Sequence, residues 1–521
     1  MEETLKISLS LLAILCALSS AGVSSPREAA ALVFDDLLAL DITGRTVSYL
    51  PEAVYQGQGI EAWHETVVSP FGGYLVLVDD MALANWEHPC RWVFVAFDGT
   101  TSIVEMHTPP IWLERMEVYR TSLPAVSSID NRQALLDWFV PNPQTPGNDP
   151  EHTYAWIISG GANQGSNHIR YYGDVQFLYL TLTQDYGYTN DHIVICFADG
   201  TNPAVDNSSG GNSNPDLDGD GTVDFDFDAS YDGIWNGYNQ ILSLVGSDDH
   251  LFIFTTDHGG SGKGLTNLPP EAYLNLWNSQ QWNDDAYDTW IDAFNTISLN
   301  VAMEQCYSGG FLAETVPTTG SQHRTFTSAA NGSESSWAGA TMPDYDEWAY
   351  WWIGAMHGSV PAGGSYPGGA LPGNPDLNDD GFISYGEAAN RAKAWDSYAQ
   401  SGQEHPQYDD DPDSCGDLYY LGGRIYTGIA DETSEALLSS GLSCSANPFT
   451  GAAVVSFELS VPTEITLEVL DIAGRRVATL AAGELAAGRH EITWNAEVPT
   501  GVYLVRMDSP STIETLRLVK F

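Results

Sequence analysis

Four apolar runs constrain this chain more than anything else in it: TYAWIISGG, HIVICFADG, HLFIFTTDHGG and LNVAMEQCYSGG. Each is short, nearly continuous and closed by glycine. Between them lie longer stretches with helical spacing: RYYGDVQFLYLTLTQDYG, YDGIWNGYNQILSLVG and DAYDTWIDAFNTI. Strands that are apolar on both faces need cover on both faces. The alternation therefore predicts a mostly parallel sheet flanked by helices, an α/β fold. In open sheets of this kind, sites form at the carboxyl ends of the strands.

With 521 residues the chain is too long for one ordinary domain. Residues 1–21 read as a secretory signal peptide: Lys6 precedes the run LSLLAILCAL, and Ser19, Ser20 and Ala21 offer a cleavage site, although Glu2 and Glu3 make the opening atypical. The run is shorter than the roughly 20 residues a spanning helix needs, so no membrane span is expected in the mature chain. Residues 27–140 mix one helical run, AAALVFDDLLAL, with alternating runs such as GGYLVLVDD and RWVFVAFDG. They predict a small α+β domain, either a pro-domain or an accessory domain. Residues 150–440 hold the alternating strands and helices and then a loop-rich extension. Residues 446–521 alternate strictly (VVSFEL, EITLEVLD, HEITW, VYLVRM, TLRLVKF) and predict an Ig-like β-sandwich.

Lys plus Arg is 19 against 69 Asp plus Glu, a net charge of −50. Such a field repels nucleic acid and anionic lipid surfaces and suits cations. Beyond residue 21 there are five cysteines: Cys90, Cys196, Cys306, Cys415 and Cys444. An odd number in an exported chain leaves at least one thiol unpaired within it, and four could form two bridges in three connectivities. Cys196, inside HIVICFA, is expected to be a buried bystander.

Two of the strand-like runs end in reactive side chains. One delivers Asp257, His258, Gly259 and Gly260; the other delivers Glu304 and Cys306, followed by Tyr307, Ser308, Gly309 and Gly310. Neighbouring strands lie about 4.8 Å apart. An imidazole and a thiol at their carboxyl ends would then face each other, as nucleophilic thiol catalysis requires. Glycine-rich turns after each strand can aim N–H groups at a developing oxyanion. Either residue alone reads better as a satisfied core or loop residue; together they favour a dyad.

The blocks TTDHGGSG and MEQCYSGG resemble those of legumain-like cysteine peptidases, in the wider caspase and gingipain group, and the 48-residue His-to-Cys spacing is similar too. AWIISGG followed by NHIRYYGD resembles the first strand and pocket arginine of that group, and TSAANGSESSWAG its pocket wall. The resemblance implies a caspase-like fold for about residues 153–357 and a secreted cysteine endopeptidase acting on protein or peptide through an acyl-enzyme. It implies His258 as proton-transfer residue, Cys306 as nucleophile, the N–H groups of Gly259 and Cys306 as oxyanion hole, and Arg170, Asp257, Ser335, Ser336 and Trp337 as substrate-binding residues. This chain has His168 where legumains place an orienting asparagine, and Tyr307 where they have a pocket glutamate. A strict asparagine preference therefore does not carry over, and Asp344, Asp346 and Glu347 could favour a basic side chain instead. If an amine replaced water at the acyl-enzyme, the product would be a new peptide bond; the sequence does not separate hydrolysis from transpeptidation.

Asp376, Asn378, Asp380, Phe382, Ser384 and Glu387, with Gly381 at the turn, match a twelve-residue EF-hand loop. Asp216, Asp218, Asp220, Thr222 and Asp224 begin a second such loop, which Asp226 or Asp228 would have to close because Phe227 stands at its twelfth position. Both are expected to hold structural calcium. The tail, from its NPF start to Lys520–Phe521, resembles the β-sandwich sorting domains of the type IX secretion route, implying secretion machinery as a partner and a secreted or cell-surface bacterial location. A flagellar-hook-capping-like Ig domain without a sorting role has the same pattern. The competing reading of the whole chain is a calcium-dependent adhesin on an inactive peptidase scaffold.

Overall fold

The computed structural model describes the chain apart from residues 1–21, 64, 124–130, 144–147, 263–270, 317–321, 426–442, 445–448, 460–462, 472–474, 487, 496–497, 509–512 and 521. The signal peptide expected at residues 1–21 thus lies outside the described residues. Two compact units divide at residue 425.

The first unit opens with helix α1 (Pro26–Leu32), whose N-cap Ser25 side chain accepts from Glu28 N–H. Five antiparallel strands follow: β1 (Thr46–Tyr49), β2 (Gly73–Asp79), β3 (Cys90–Ala96), β4 (Thr101–Met106) and β5 (Glu117–Thr121), in the order β4-β3-β2-β1-β5. One face of this sheet packs Val47, Val76, Val78, Val93 and Val95 against Ala29, Ala30 and Val33 of the helical segment. β2 and β3 pair from Gly73↔Ala96 to Asp79↔Cys90, so residues 80–89 form the loop that joins them.

The larger part of the unit is built from β6 (Thr153–Ser159), α2 (Ile169–Leu180), β7 (Ile193–Phe197), α3 (Tyr231–Leu244), β8 (His250–Thr255), β9 (Ser298–Met303), β10 (His323–Ser328), α4 (Glu347–His357), α5 (Tyr385–Trp395) and β11 (Gln407–Asp411). The strands form one sheet in the order β11-β10-β9-β8-β6-β7. All are parallel except the edge strand β11, which runs antiparallel to β10. The two-residue period of a strand explains its double cover. Phe252 and Phe254 of β8 join α2 and α4 in one core, whereas Leu251 and Ile253 join α3 in the other. Each such buried side chain contributes about 1.5–3 kcal/mol. The chain moves outward from β6 to β7 and returns to place β8 on the other side of β6, so a crevice opens where the order reverses.

Cys90, Cys196, Cys306 and Cys415 are all free and buried, so two disulfide bridges among these four do not form. Each thiol is enclosed by its own surroundings; Cys196 sits beneath α3 beside Ile234 and Tyr238. The side chain of Cys444 lies outside the described residues.

The second unit is a two-sheet β structure. Ser443–Cys444, Ala452–Leu459 and Gly488–Asn495 form one sheet; Arg476–Leu485, Thr463–Asp471, Gly501–Asp508 and Ile513–Lys520 form the other. Val455, Phe457, Leu467, Val469, Trp494 and Val505 fill the space between them. Among the described residues no helix is long and apolar enough to cross a membrane.

Gly259 begins a short strand (Gly259–Gly262) just after β8 and packs against the turn after β9. A Cβ there would lie 2.2 Å from the carbonyl oxygen of Cys306. The obstacle is backbone, which cannot swing aside. Gly259→Ala is expected to lower stability by about 1–3 kcal/mol through this overpacking, read from the midpoint of a denaturant melt. An unchanged midpoint would contradict the packing described.

Candidate active site

His258 and Cys306 emerge from adjacent strands, because β8 and β9 pair in register from His250↔Ser298 to Thr255↔Met303. Both meet a third segment of the chain. The Cys306 thiol donates to the carbonyl oxygen of Asn85 at 2.9 Å, and the backbone N–H of Trp86 donates to His258 Nδ1 at 2.9 Å. Sulfur and imidazole thus contact the two ends of one peptide unit, Asn85–Trp86. On its other side the ring places Nε2 2.9 Å from the carbonyl oxygen of Ser166. A carbonyl oxygen can only accept, so Nε2 carries the proton and Nδ1 presents the lone pair.

The surroundings keep both groups neutral. Burial pushes the Cys306 thiol up to about 12, opposed by the Ser336 N–H and the hydroxyls of Ser335 and Ser336. Burial, followed by the charge of Arg170, holds His258 well below the usual imidazole range. Ser336 N–H points at Sγ at 3.3 Å. A thiolate would therefore find a donor in place, but while the site stays covered the protonated form is favoured.

The substrate-side residues converge on the side chain of Asn85. Its Oδ1 accepts from Arg170 Nη2 and, at 2.9 Å, from the Tyr171 hydroxyl. Its Nδ2 donates to Ser336 Oγ at 3.0 Å and to Asp346 Oδ1 at 3.1 Å. Arg170 projects from the first turn of α2, and its Nε pairs with Asp346 Oδ1 at 2.8 Å. Backbone bonds continue alongside: Asn85 N–H donates to Ser336 O at 2.8 Å, and Ala338 N–H donates to Leu83 O at 2.8 Å. Trp337 forms the intervening antiparallel bridge with Ala84 and stacks on Tyr398. Ser335 Oγ donates to Glu87 O at 2.7 Å, and Gly259 N–H donates to Trp86 O at 3.1 Å.

Two expectations need correction. Asp257 does not enter the substrate pocket. Its carboxylate accepts backbone N–H from Gly161 and from His258, both at 2.5 Å, and so fixes the loop beneath the histidine. Two of the three acids expected to favour a basic side chain are engaged elsewhere. Asp346 reaches the pocket but is paired with Arg170, while Glu347 turns to Ser397. With loop 80–89 in place, Gly259 N–H is engaged by Trp86 O, not by the Asn85 carbonyl beside the thiol. His168 places its ring 5.2 Å from that of His258, edge to face; the Ser166 carbonyl fills the orienting position. Glu304 Oε2 accepts from Ala349 N–H in the first turn of α4, a structural use. Ser166, Tyr171, Asn85 and Trp86 were not singled out in the sequence; of these only Tyr171, beside Arg170, had a motif to mark it.

The two acidic loops differ. Carboxylate oxygens of Asp216, Asp218 and Asp224 lie within 4.8 Å of one another, a donor set that fits a hard cation. Asp220 accepts from Thr222 N–H within its own turn; Asp226 and Asp228, which accept from Ile195 N–H and Ser230 N–H, lie outside that three-carboxylate group. In the second loop Asp376 accepts from Asp380 and Gly381 N–H, Asn378 and Asp380 bond each other, and Glu387 caps α5 with Ser384 while accepting from Leu377 N–H. Phe382 N–H donates to Asp380. Glu387 is thus shared with the backbone donors Leu377, Asn378 and Ser384.

Residues 443–512 match the FlgD Ig-like domain model. No curated protein matches the chain. A Geobacter sulfurreducens protein of known crystal structure is 9% identical, covering 49% of this chain and 93% of that one at a TM-score of 0.29. An FMN-binding beta-glucuronidase from Facaelibacterium prausnitzii is 10% identical, covering 92% of this chain and 70% of that one at a TM-score of 0.14. Neither likeness is close enough to carry an argument. Residues 153–351, which contain His258 and Cys306, match the Peptidase C13 family, a match that implies a cysteine peptidase with protein as its substrate.

Proposed function

We propose that this chain is a secreted endopeptidase that cuts peptide bonds with Cys306 and His258. The observation that carries the reading is the Asn85–Trp86 peptide unit, with the thiol at its carbonyl oxygen and Nδ1 at its amide nitrogen. The sulfur thus lies beside a carbonyl group, whose carbon a nucleophile attacks in acyl transfer, and the imidazole lies at the amide nitrogen that must be protonated as it leaves. In the proposed cycle Nδ1 takes the thiol proton and Sγ attacks the substrate carbonyl carbon. The N–H groups of Gly259 and Cys306 stabilise the oxyanion. His258 then returns the proton to the leaving amine, and water resolves the thioester; an amine in place of water would give transpeptidation.

The primary pocket supports a preference for asparagine before the cut. Arg170 and Tyr171 supply donors, and Asp346 and Ser336 supply acceptors, to the two ends of one carboxamide. A carboxylate would meet Asp346 and a cation would meet Arg170, so an amide fits where either charge does not. The second unit is proposed to direct the chain through a type IX-like secretion route to the outside or to the cell surface. Calcium is proposed to brace the two acidic loops.

Cys306→Ala should abolish peptide hydrolysis and leave the melting temperature within a few degrees of wild type; activity near wild type would reject the nucleophile. In a peptide library, asparagine before the cut should exceed alanine by about 10²-fold in kcat/KM, since alanine leaves buried charged donors and acceptors unpartnered. A flat profile would reject the pocket assignment. Calcium at about 100 times its Kd should add roughly 2.7 kcal/mol of stability, seen as a raised Tm that a chelator reverses. A Tm indifferent to both would reject the cation sites.

A further inference from the structure

The loop between β2 and β3 belongs to the N-terminal sheet, yet it fills the site formed by β8 and β9. It lies there as an added strand. Asn85 N–H and Leu83 O bond the pocket wall at Ser336 and Ala338, with the Ala84–Trp337 bridge between them. An extended peptide docked on a free edge, with one side chain in a pocket, is a common mode of peptide recognition. Beyond Trp86 the contacts continue. Glu87 N–H donates to Gly259 O at 2.9 Å, and the Tyr273 hydroxyl donates to Glu87 Oε1. The loop is thus held on both sides of one peptide bond, and Cys306 and His258 beneath it are fully buried.

Resting on the peptidase reading above, we propose that Asn85–Trp86 is a bond this chain cuts in itself, slowly and without release, so that the uncut loop plugs the site. Sγ bonds to the Asn85 carbonyl carbon and the C–N bond to Trp86 breaks. The thiol proton passes through His258 to the Trp86 nitrogen, which becomes a free amine. Water then adds to the thioester, leaving the Asn85 carboxylate and restoring the thiol. Alternatively the Trp86 amine attacks the thioester and restores both peptide and thiol. Two features slow the outcome. Gly259 N–H serves Trp86 O, so the carbonyl under attack lacks that donor. The seven paired positions of β2 and β3 hold the new amine beside the thioester, at a high effective concentration that favours the return reaction.

The test incubates purified full-length chain beside its Cys306→Ala and Asn85→Ala variants. Mass spectrometry follows fragments, and an added asparagine-containing peptide reports turnover. Wild type should accumulate, over hours to days, a fragment beginning at Trp86 that Cys306→Ala never yields. The two pieces should stay together on a native gel and separate in detergent. Asn85→Ala removes the side-chain bonds of the plug and should cleave the added peptide roughly 10-fold faster or more. Cys306 in that variant should also take up iodoacetamide faster.

A wild-type chain never cut at Asn85–Trp86, yet cleaving the added peptide at the rate of Asn85→Ala, would overturn the proposal and leave the peptidase reading intact. Faster turnover by Asn85→Ala with no cut in wild type would overturn the self-cleavage. If Asn85→Ala does not fold, wild type against Cys306→Ala decides alone. No peptide cleavage by any chain, with Cys306 unlabelled in a folded Asn85→Ala, would overturn both the proposal and the peptidase reading.

Discussion

A single peptide unit ties the site together. The carbonyl of Asn85 meets the Cys306 thiol and the amide of Trp86 meets the His258 lone pair, and these contacts join segments more than 170 residues apart in sequence. The Asn85 side chain gathers Arg170, Tyr171, Ser336 and Asp346 around one carboxamide. Its backbone extends the pocket wall by a strand, and Trp86 O occupies the Gly259 N–H.

Electrostatics explains why such a site tolerates burial. Arg170 is a buried cation at the start of α2, an expensive position unless paired and hydrogen-bonded. Asp346 supplies the charge, and the Asn85 and Tyr171 oxygens add acceptors. Nearby, burial and the closeness of Asp346 push the carboxyls of Asp174 and Glu304 upward, favouring their neutral forms, so the region does not accumulate uncompensated negative charge. The same desolvation keeps the thiol protonated and the imidazole neutral. A covered, uncharged pair costs less than a buried thiolate-imidazolium pair, and exposure of the crevice would shift the balance toward the reactive form.

Much of this was readable from residue order. Continuous apolar strands imply double cover, and the cores on the two sides of β8 follow from its alternation. The side chains that end β8 and β9 were visible as DHGG and EQC, whereas the arginine and the Ser-Ser-Trp wall came only from the family resemblance. Asn85 was not readable. Nothing in LANWEH departs from an ordinary hairpin loop, and its partners exist only after two sheets have formed. Asp257 misled because adjacency to a histidine in sequence says nothing about whether a carboxylate turns toward the crevice or back to bare N–H groups. The acidic residues near the pocket misled for a related reason: their charge could be counted, but the pairing of Asp346 with Arg170 could not. Cysteine counting gave connectivities for thiols that are each walled off in separate parts of the core.

The account stands or falls on whether loop 80–89 lies in the crevice in solution. Native-state hydrogen exchange reads this directly, because a free loop between two strands exchanges rapidly. Here the amides of Asn85, Trp86 and Glu87 donate to Ser336 O, His258 Nδ1 and Gly259 O. The account predicts that these three exchange as slowly as the paired amides of β2 and β3, and that Asn85→Ala makes them fast while the strands stay protected. Exchange at the rate of an open loop in the wild-type chain would contradict it.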